Sequence, residues 1–215
     1  MDITWYGHSC FRITERGRIA VVTDPYAGDQ IGMPNLRLKG DVVTVSHNAP
    51  GHNFVEAVKG EPIVFTGPGE YEIGEVFITG IGLHYIEGKQ VHWNVAYTFE
   101  FDSLTVLHLG DLAHVPDQST IEALGEVHVA LVPVGGGNSL NASAAAEVIA
   151  VLEPSFVVPM HYGLPGQSLK LDPVEKFLKV MGVSKVQQED TLKVTASNLP
   201  EQPQVVLLNP HIDLE

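Results

Sequence analysis

Apolar positions fall into two regimes along this chain. In the first half they come in short bursts broken by glycines and polar turns, which is how strands with one covered face read. Ile3 to Tyr6, Cys10 to Thr14 and Arg18 to Thr23 form the first three bursts, and the third runs into Asp24-Pro25, where proline ends it and leaves Asp24 at its tip. A Gly/Pro-containing connection from Tyr26 to Gly40 precedes the β-branched stretch Val42 to Ser46. That stretch delivers His47, turns at Pro50-Gly51 and delivers His52, ahead of a short helix predicted over Phe54 to Lys59 with Asn53 as its cap. Ile63 to Phe65, Tyr71 to Ile73, Val76 to Ile78 and Val95 to Tyr97 read as further strands; Glu72 to Val76 reads as a hairpin, and the strand from Val76 leads on to His84.

The second half carries nearly continuous apolar runs instead. Leu104 to Leu109 ends in Gly110-Asp111, Val129 to Val134 ends in Gly135 to Gly137, and Phe156 to Met160 ends in His161. Runs of this length imply strands buried on both faces, which require helices outside the sheet. Thr120 to Leu124 gives a weak helical signal, and Ala142 to Leu152 a stronger one with Asn141 as its cap. Asp172-Pro173-Val174-Glu175 has the form of a capping box opening a helix that stops at Gly182. Thr191 to Thr195 and Gln204 to Leu208 are expected to pair as a closing hairpin. The alternation predicts an α/β (α+β) fold, and no repeat at a solenoid period is present.

One regularity points to chemistry: several unrelated strands each end in a metal-ligand residue type. These are His47 and His52, His84, Asp111 and His161, with His8 near the start. Strand ends are where loops converge in open sheets, so groups scattered along the sequence can meet in one cleft. Taken singly, each histidine is better explained as a loop or core residue; His84 and His108 fit satisfied core histidines, His92 and His211 surface ones. The set at strand ends fits a shared ion better. Neutral imidazole with carboxylate suits Zn first, with Mn, Fe, Ni or Co compatible, and the scarcity of cysteine argues against a structural thiolate site. Cys10 stands near His8 and is read as either a further ligand or a buried side chain. An ion with open positions supplies a nucleophile at neutral pH, so hydrolysis is the expected chemistry. No phosphate-binding glycine–lysine loop, dinucleotide fingerprint or serine nucleophile elbow competes.

Composition bounds the picture. The 215 residues are 44% hydrophobic and 18% charged, ordinary for a globular protein, and no linker composition divides them, so one domain over 1–215 is expected. A net charge of -14 repels phosphate backbones and anionic bilayers, so neither nucleic acid nor membrane is expected as a partner, whereas a small-molecule substrate is; a homo-oligomer is left open. Met1 opens no signal segment, no apolar run is long enough to span a bilayer, and Cys10 is the only cysteine, which gives a cytoplasmic location as the expectation.

The order Gly7-His8-Ser9-Cys10-Phe11, Asp24-Pro25, Ser46-His47, His108-Leu109-Gly110-Asp111-Leu112, Val132-Pro133-Val134-Gly135-Gly136 and Pro159-Met160-His161-Tyr162 resembles the metallo-β-lactamase superfamily. Within it, the chain is most similar to a small bacterial branch of Zn-dependent hydrolases related to the ascorbate-6-phosphate lactonases. The resemblance implies a four-layer αββα sandwich with metals at one edge between two sheets. The family's HxHxDH motif falls on His47 to His52, with its central histidine replaced by Ala49 and its aspartate by Gly51. Asp111 matches the metal-bridging aspartate and His161 the last histidine ligand; His84 is a looser match for the intermediate histidine, and His8 resembles a histidine standing beside the metals. This implies a reduced site of His47, His52, Asp111 and His161, assisted by His8 and His84, holding one ion rather than two, with Asp111 in the chemistry and His114 as a general acid or base. Two functions remain open: a metal-dependent hydrolase of a small ester, lactone or phosphodiester, and a non-catalytic protein that binds a metal or metabolite.

Overall fold

A computed structural model of the chain describes residues 1–87 and 90–212. Two sheets face each other. The first has the spatial order Leu192–Lys193, Asp2–Trp5, Phe11–Thr14, Val21–Thr23, Val42–Thr44, Ile63–Phe65. Its members pair antiparallel up to Val21–Thr23, and the last three strands run parallel. The second has the order Gln187–Glu189, Gln204–Leu208, Phe156–Met160, Val129–Pro133, Leu104–His108, Gln90–Phe101, Val76–Glu87, Gly69–Ile73. It is parallel from Gln187–Glu189 to Leu104–His108 and antiparallel beyond.

The two sheets bury one core between them. Ile3, Trp5, Phe11, Ile13, Val21 and Val42 of the first sheet belong to the same buried cluster as Ile78, Tyr97, Phe99 and Val106 of the second. Alternate residues Val22 and Val43 point the other way, into a second cluster with Tyr26, Ile31, Met33, Leu36 and Val58. The strands Val21–Thr23 and Val42–Thr44 are therefore buried on both faces, which is why their sequences lack alternation. Outside the second sheet, Ala142–Leu152 packs on Val129–Pro133 and on the helix Val174–Val180. It buries Ala142, Ala145, Val148 and Ile149, the one-sided stripe that 3.6-residue periodicity produces. Asn141 caps it as expected, its side chain accepting from the N–H groups of Ser143 and Ala144 at 3.1 and 3.0 Å. The expected αββα arrangement is present, but the layer over the first sheet is thin. It consists of the four-residue helix Gly28–Ile31, a 3₁₀ turn and connecting chain.

Three local expectations are overturned. Phe54 to Lys59 is a 3₁₀ turn, Val55–Ala57, followed by a two-residue strand, Val58–Lys59, paired in parallel with Leu38–Lys39. Six residues are too few to offset helix nucleation, and burial of Val58 in the outer cluster decides the outcome. Asp172 does not cap the helix it precedes; Pro173, in extended conformation, is the capping position without a side-chain bond, and Asp172 pairs with Lys176 at 2.6 Å. The terminal segments do not form a hairpin: Leu192–Lys193 joins Asp2–Trp5 in the first sheet, while Gln204–Leu208 inserts in the second. Leu192 supplies a single buried residue for an edge, whereas Val205 to Leu208 are all buried and need cover on both faces. The hairpin at Glu72 to Val76 forms where expected, with Gly74 and Glu75 at φ 54° and 61°, the backbone that a two-residue turn between twisted strands requires.

Candidate metal centre

Four strand ends and one hairpin loop deliver side chains to one point. Val21–Thr23 leads to Asp24, Val42–Thr44 to His47 and His52, Leu104–His108 to Asp111, Phe156–Met160 to His161, and the turn after Asp2–Trp5 to His8. The sheets are tied together here by Val95 N–H, which donates to Ser46 O at 2.8 Å, and within the second sheet Asn94 Oδ1 accepts from Asp111 N–H at 2.9 Å. His8, Asp24 and His161 all lie at positive φ, 51°, 39° and 52°. Such backbone costs roughly 1–3 kcal/mol per non-glycine residue and persists where surrounding structure over-determines it.

Hydrogen bonds set the tautomers of three histidines. Asp24 accepts from Ser46 N–H at 2.7 Å, from Ser46 Oγ–H at 2.6 Å and from His52 Nδ1–H at 2.7 Å. Ser46 has spent its single proton on Asp24, so at 3.0 Å from His47 Nδ1 it accepts, and His47 carries its proton on Nδ1. Ser139 likewise donates to Gly136 O at 3.0 Å, so His161 Nδ1, 3.3 Å away, is the donor there. All three imidazoles therefore hold their protons outward and turn an Nε2 lone pair toward Asp111, the orientation a metal-binding histidine needs.

The Asp111 carboxylate receives them. His161 Nε2 lies 3.0 Å and His52 Nε2 3.5 Å from Oδ1, and His47 Nε2 lies 3.5 Å from Oδ2. Yet Oδ1 is buried and lacks a hydrogen-bond partner. Lone pairs facing a carboxylate oxygen repel unless a cation lies between them. Donor atoms bound tetrahedrally at about 2.0–2.1 Å stand about 3.3 Å apart, so these separations fit an ion. Two overlapping groups have ligand atoms mutually within 4.8 Å: His8, His52 and His161, and His47, His52 and Asp111.

Electrostatics keep His47, His161 and Asp111 in their binding states, whereas the two carboxylates beside His52 favour a proton there that an ion must displace. Burial and the His52 charge hold His47 below the usual histidine range, and burial does the same for His161. Burial would lower His52 too, but the Asp111 and Asp24 carboxylates and the bond to Asp24 outweigh it and raise it. Burial would raise Asp111; the neighbouring His161, His52 and His47 instead hold it below the carboxylate range. Asp24 also resists burial: the charges of His108 and His52, with the bonds from His52 and Ser46, bring it down to about 2.

A cavity of about 330 Å³ opens over His8, His52 and His161, walled by Ile31, Leu169 and Leu171. A second, of about 540 Å³, lies on the His47 side, walled by Tyr85 and Trp93. Asp111 and His47 line both. The connection from Tyr26 to Gly40 walls the first cavity through Gln30 and Ile31, whereas Tyr85 and Trp93 stand on two long paired strands, Val76–Glu87 and Gln90–Phe101, with residues 88 and 89 outside the described ones.

The structure brings His8, His47, His52, Asp111 and His161 together and leaves His84 and His114 out. His84 sits in the strand Val76–Glu87 opposite Trp93, exposed, with its ring 5.2 Å from the indole. His114 is exposed, edge-on to Tyr85 at 6.2 Å, and lines neither cavity. Metal uptake is accordingly expected to be unchanged in His84→Ala and in His114→Ala, read by metal content per chain. Cys10 is buried in the outer apolar cluster, and His108 is a satisfied core histidine bonded to Ser9 O at 2.9 Å and Gly110 N–H at 3.3 Å. Sequence reasoning missed the groups that orient the imidazoles: Asp24, Ser46, Ser139 and Gln167. Asp24 and Ser46 carried a signal, since both stand in the motif order and Asp24 lies between a strand and a proline. Gly110 is required for both backbone and space, at φ 56° with an added Cβ only 2.5 Å from Ser46 Cβ. Gly110→Ala is expected to cost about 1–3 kcal/mol in urea unfolding and to weaken metal uptake.

Comparison with known proteins places this arrangement. Residues 2–161 match the family described as Beta-lactamase superfamily domain. A UPF0173 metal-dependent hydrolase of Koribacter versatilis is 26% identical over 226 residues, covering 89% of this chain and 97% of its own. A crystal structure from Thermotoga maritima, described as a candidate Zn-dependent hydrolase of the metallo-β-lactamase superfamily, is 34% identical with a TM-score of 0.79 and covers 96% of this chain and 97% of its own. A metallo hydrolase of Ignicoccus hospitalis, 19% identical with a TM-score of 0.61 over 97% of this chain and 95% of its own, shares the fold. With a family match that includes every strand end delivering Asp24, His47, Asp111 and His161, and a 34% identical relative aligned over nearly its whole length, the chain belongs to the metallo-β-lactamase superfamily.

Proposed function

We propose that the chain is a metal-dependent hydrolase of a small-molecule ester, lactone or phosphodiester, working with one divalent transition-metal ion, zinc first. The observation that carries the reading is the buried Asp111 Oδ1, unbonded and faced by the lone pairs of His52 and His161. His52, His161 and Asp111 Oδ1 would hold the ion, with His47 on the other carboxylate oxygen. The two groups able to hold an ion share His52, whose Nε2 has a single lone pair and can serve only one ion, which supports one ion over two. When bound, the ion supplies a Lewis acid for the scissile group and a nucleophile at neutral pH. The chain's own residues do the rest: Asp24, Ser46 and Ser139 fix imidazole orientation, and the apolar walls of Ile31, Leu169 and Leu171 exclude water around a bound substrate. The chain's net charge of -14 disfavours nucleic acid as a substrate. No helix among the described residues is long and apolar enough to cross a membrane.

The test is metal content after chelator-free purification, zinc titration, and turnover on a panel of phosphodiesters, lactones and β-lactams beside His161→Ala. Zinc uptake with turnover lost in the variant is expected; no uptake at all would sink the reading. The second reading, binding without catalysis, is favoured by Ala49 and Gly51, which contribute no ligand where the family motif has a histidine and an aspartate. Zinc uptake with no turnover anywhere on the panel would select it.

A further inference from the structure

His8 departs from the other three imidazoles in a way that assigns it a different task. Its backbone is held at φ 51° by two bonds to its carbonyl, from Trp5 Nε1–H at 3.1 Å and His161 N–H at 3.1 Å. Its ring is buried, with Nδ1 3.1 Å from Gln167 Nε2 and Nε2 3.2 Å from His52 Nε2. The Gln167 amide cannot be turned round at no cost, because its Oε1 accepts from Leu164 N–H at 3.2 Å and a reversed amide would set two donors against each other. Gln167 therefore donates, His8 Nδ1 accepts, and the His8 proton lies on Nε2. The relay closes without conflict: His8 Nε2–H donates to the His52 lone pair, and His52 Nδ1–H donates to Asp24. His47, His52 and His161 offer lone pairs to the centre; His8 offers an N–H.

Gly51 explains how this donor fits. A Cβ at position 51 would lie 2.6 Å from His8 Nε2, so the ring occupies the space in which a side chain at 51 would begin. That is the position at which the family motif carries its aspartate.

Resting on the hydrolase reading above, we propose that His8 is a hydrogen-bond donor to the substrate and not a metal ligand. Once an ion engages the His52 lone pair, the His8 N–H loses its acceptor and faces the 330 Å³ cavity. There it meets the oxygen that gains negative charge as the carbonyl or phosphoryl group is attacked. No proton leaves His8 in this role. A donor of this kind typically contributes roughly 100- to 1,000-fold in kcat.

The test is long-range ¹H–¹⁵N correlation spectroscopy of the full chain labelled with ¹⁵N-histidine, without and with zinc, His8 being assigned by loss of its signals in His8→Ala. A proton on His8 Nε2 in both states supports the proposal; a proton on Nδ1 in either overturns it. The metal-free measurement decides the tautomer even if zinc does not bind, an outcome that would fail the hydrolase reading separately. His8→Ala is expected to keep one zinc per chain and to lose about 100-fold in kcat with KM little changed; loss of the zinc would show His8 to be a ligand and overturn the proposal. Gln167→Glu lies one residue removed from the centre and replaces the donor with an acceptor. It is expected to move the His8 proton to Nδ1 and to depress kcat as His8→Ala does, and wild-type turnover with the moved proton would overturn the assigned role.

Discussion

Asp111→Ala is expected to abolish zinc uptake and, with it, all turnover that depends on the centre. Its carboxylate is the group on which three imidazoles converge, at 3.0 to 3.5 Å. No other carboxylate shares either of the groups able to hold an ion among the described residues. Loss of an orienting group around a metal costs roughly 10–100-fold in affinity; loss of this ligand removes both the charge and the contact, so the effect should exceed that range. Stability should move little, because two contributions oppose: the present arrangement buries Oδ1 without a hydrogen bond, which costs about 1–3 kcal/mol, while the neighbouring imidazoles hold the carboxylate ionised and so favour the folded chain at pH 7. Isothermal titration with zinc and urea unfolding at pH 7 separate the two effects. Tight zinc binding retained in the variant would remove Asp111 from the ligand set.

Asp24→Asn should be the second most damaging change, although Asp24 faces neither cavity. Its two oxygens accept three bonds, from Ser46 N–H, Ser46 Oγ–H and His52 Nδ1–H. An amide can accept at only one end, so either His52 or Ser46 meets a donor and the tautomers of His52 and His47 are no longer fixed. Zinc affinity is expected to fall roughly 10–100-fold. The carboxyl is depressed from an ordinary 3.8 to about 2, so its ionised form is bound more tightly in the folded chain than in the unfolded one. That contribution, about 2 kcal/mol, is complete above the ordinary carboxyl range and is lost as pH falls toward 2. The stability gap between wild type and Asp24→Asn should therefore narrow below pH 4 in urea unfolding of the metal-free chain. A gap that stays constant down to pH 2.5 would show that Asp24 is not ionised in the fold.

Much of the chain's architecture could be read from apolar spacing. The three unbroken runs from Leu104, Val129 and Phe156 are neighbouring parallel strands, and the alanine-rich segment after Asn141 is the helix that covers them. Elements failed where local propensity was weak and a distant partner decided. Val58 paired with Leu38 instead of continuing a helix, and the two C-terminal strands entered different sheets. Within the site, His47, His52, Asp111 and His161 were legible as ligand types at strand ends. His84 satisfied the same rule and proved to be an exposed residue beside Trp93, because a strand ending in histidine says nothing of how far its partner strand carries it past the sheet edge.

The sequence by itself determined which residues can bind a cation and that Ala49 and Gly51 cannot. Residue type decides whether a lone pair exists, and the order of motifs decides the fold that carries it. The tertiary structure alone decided what each imidazole presents to the centre. That depends on where a single proton sits, and the proton's place is set by Asp24, Ser46, Ser139 and Gln167, which lie up to 159 positions away in the chain from the histidines they orient. His8 and Gly51 are 43 positions apart, and only the fold shows that one fills the space the other leaves.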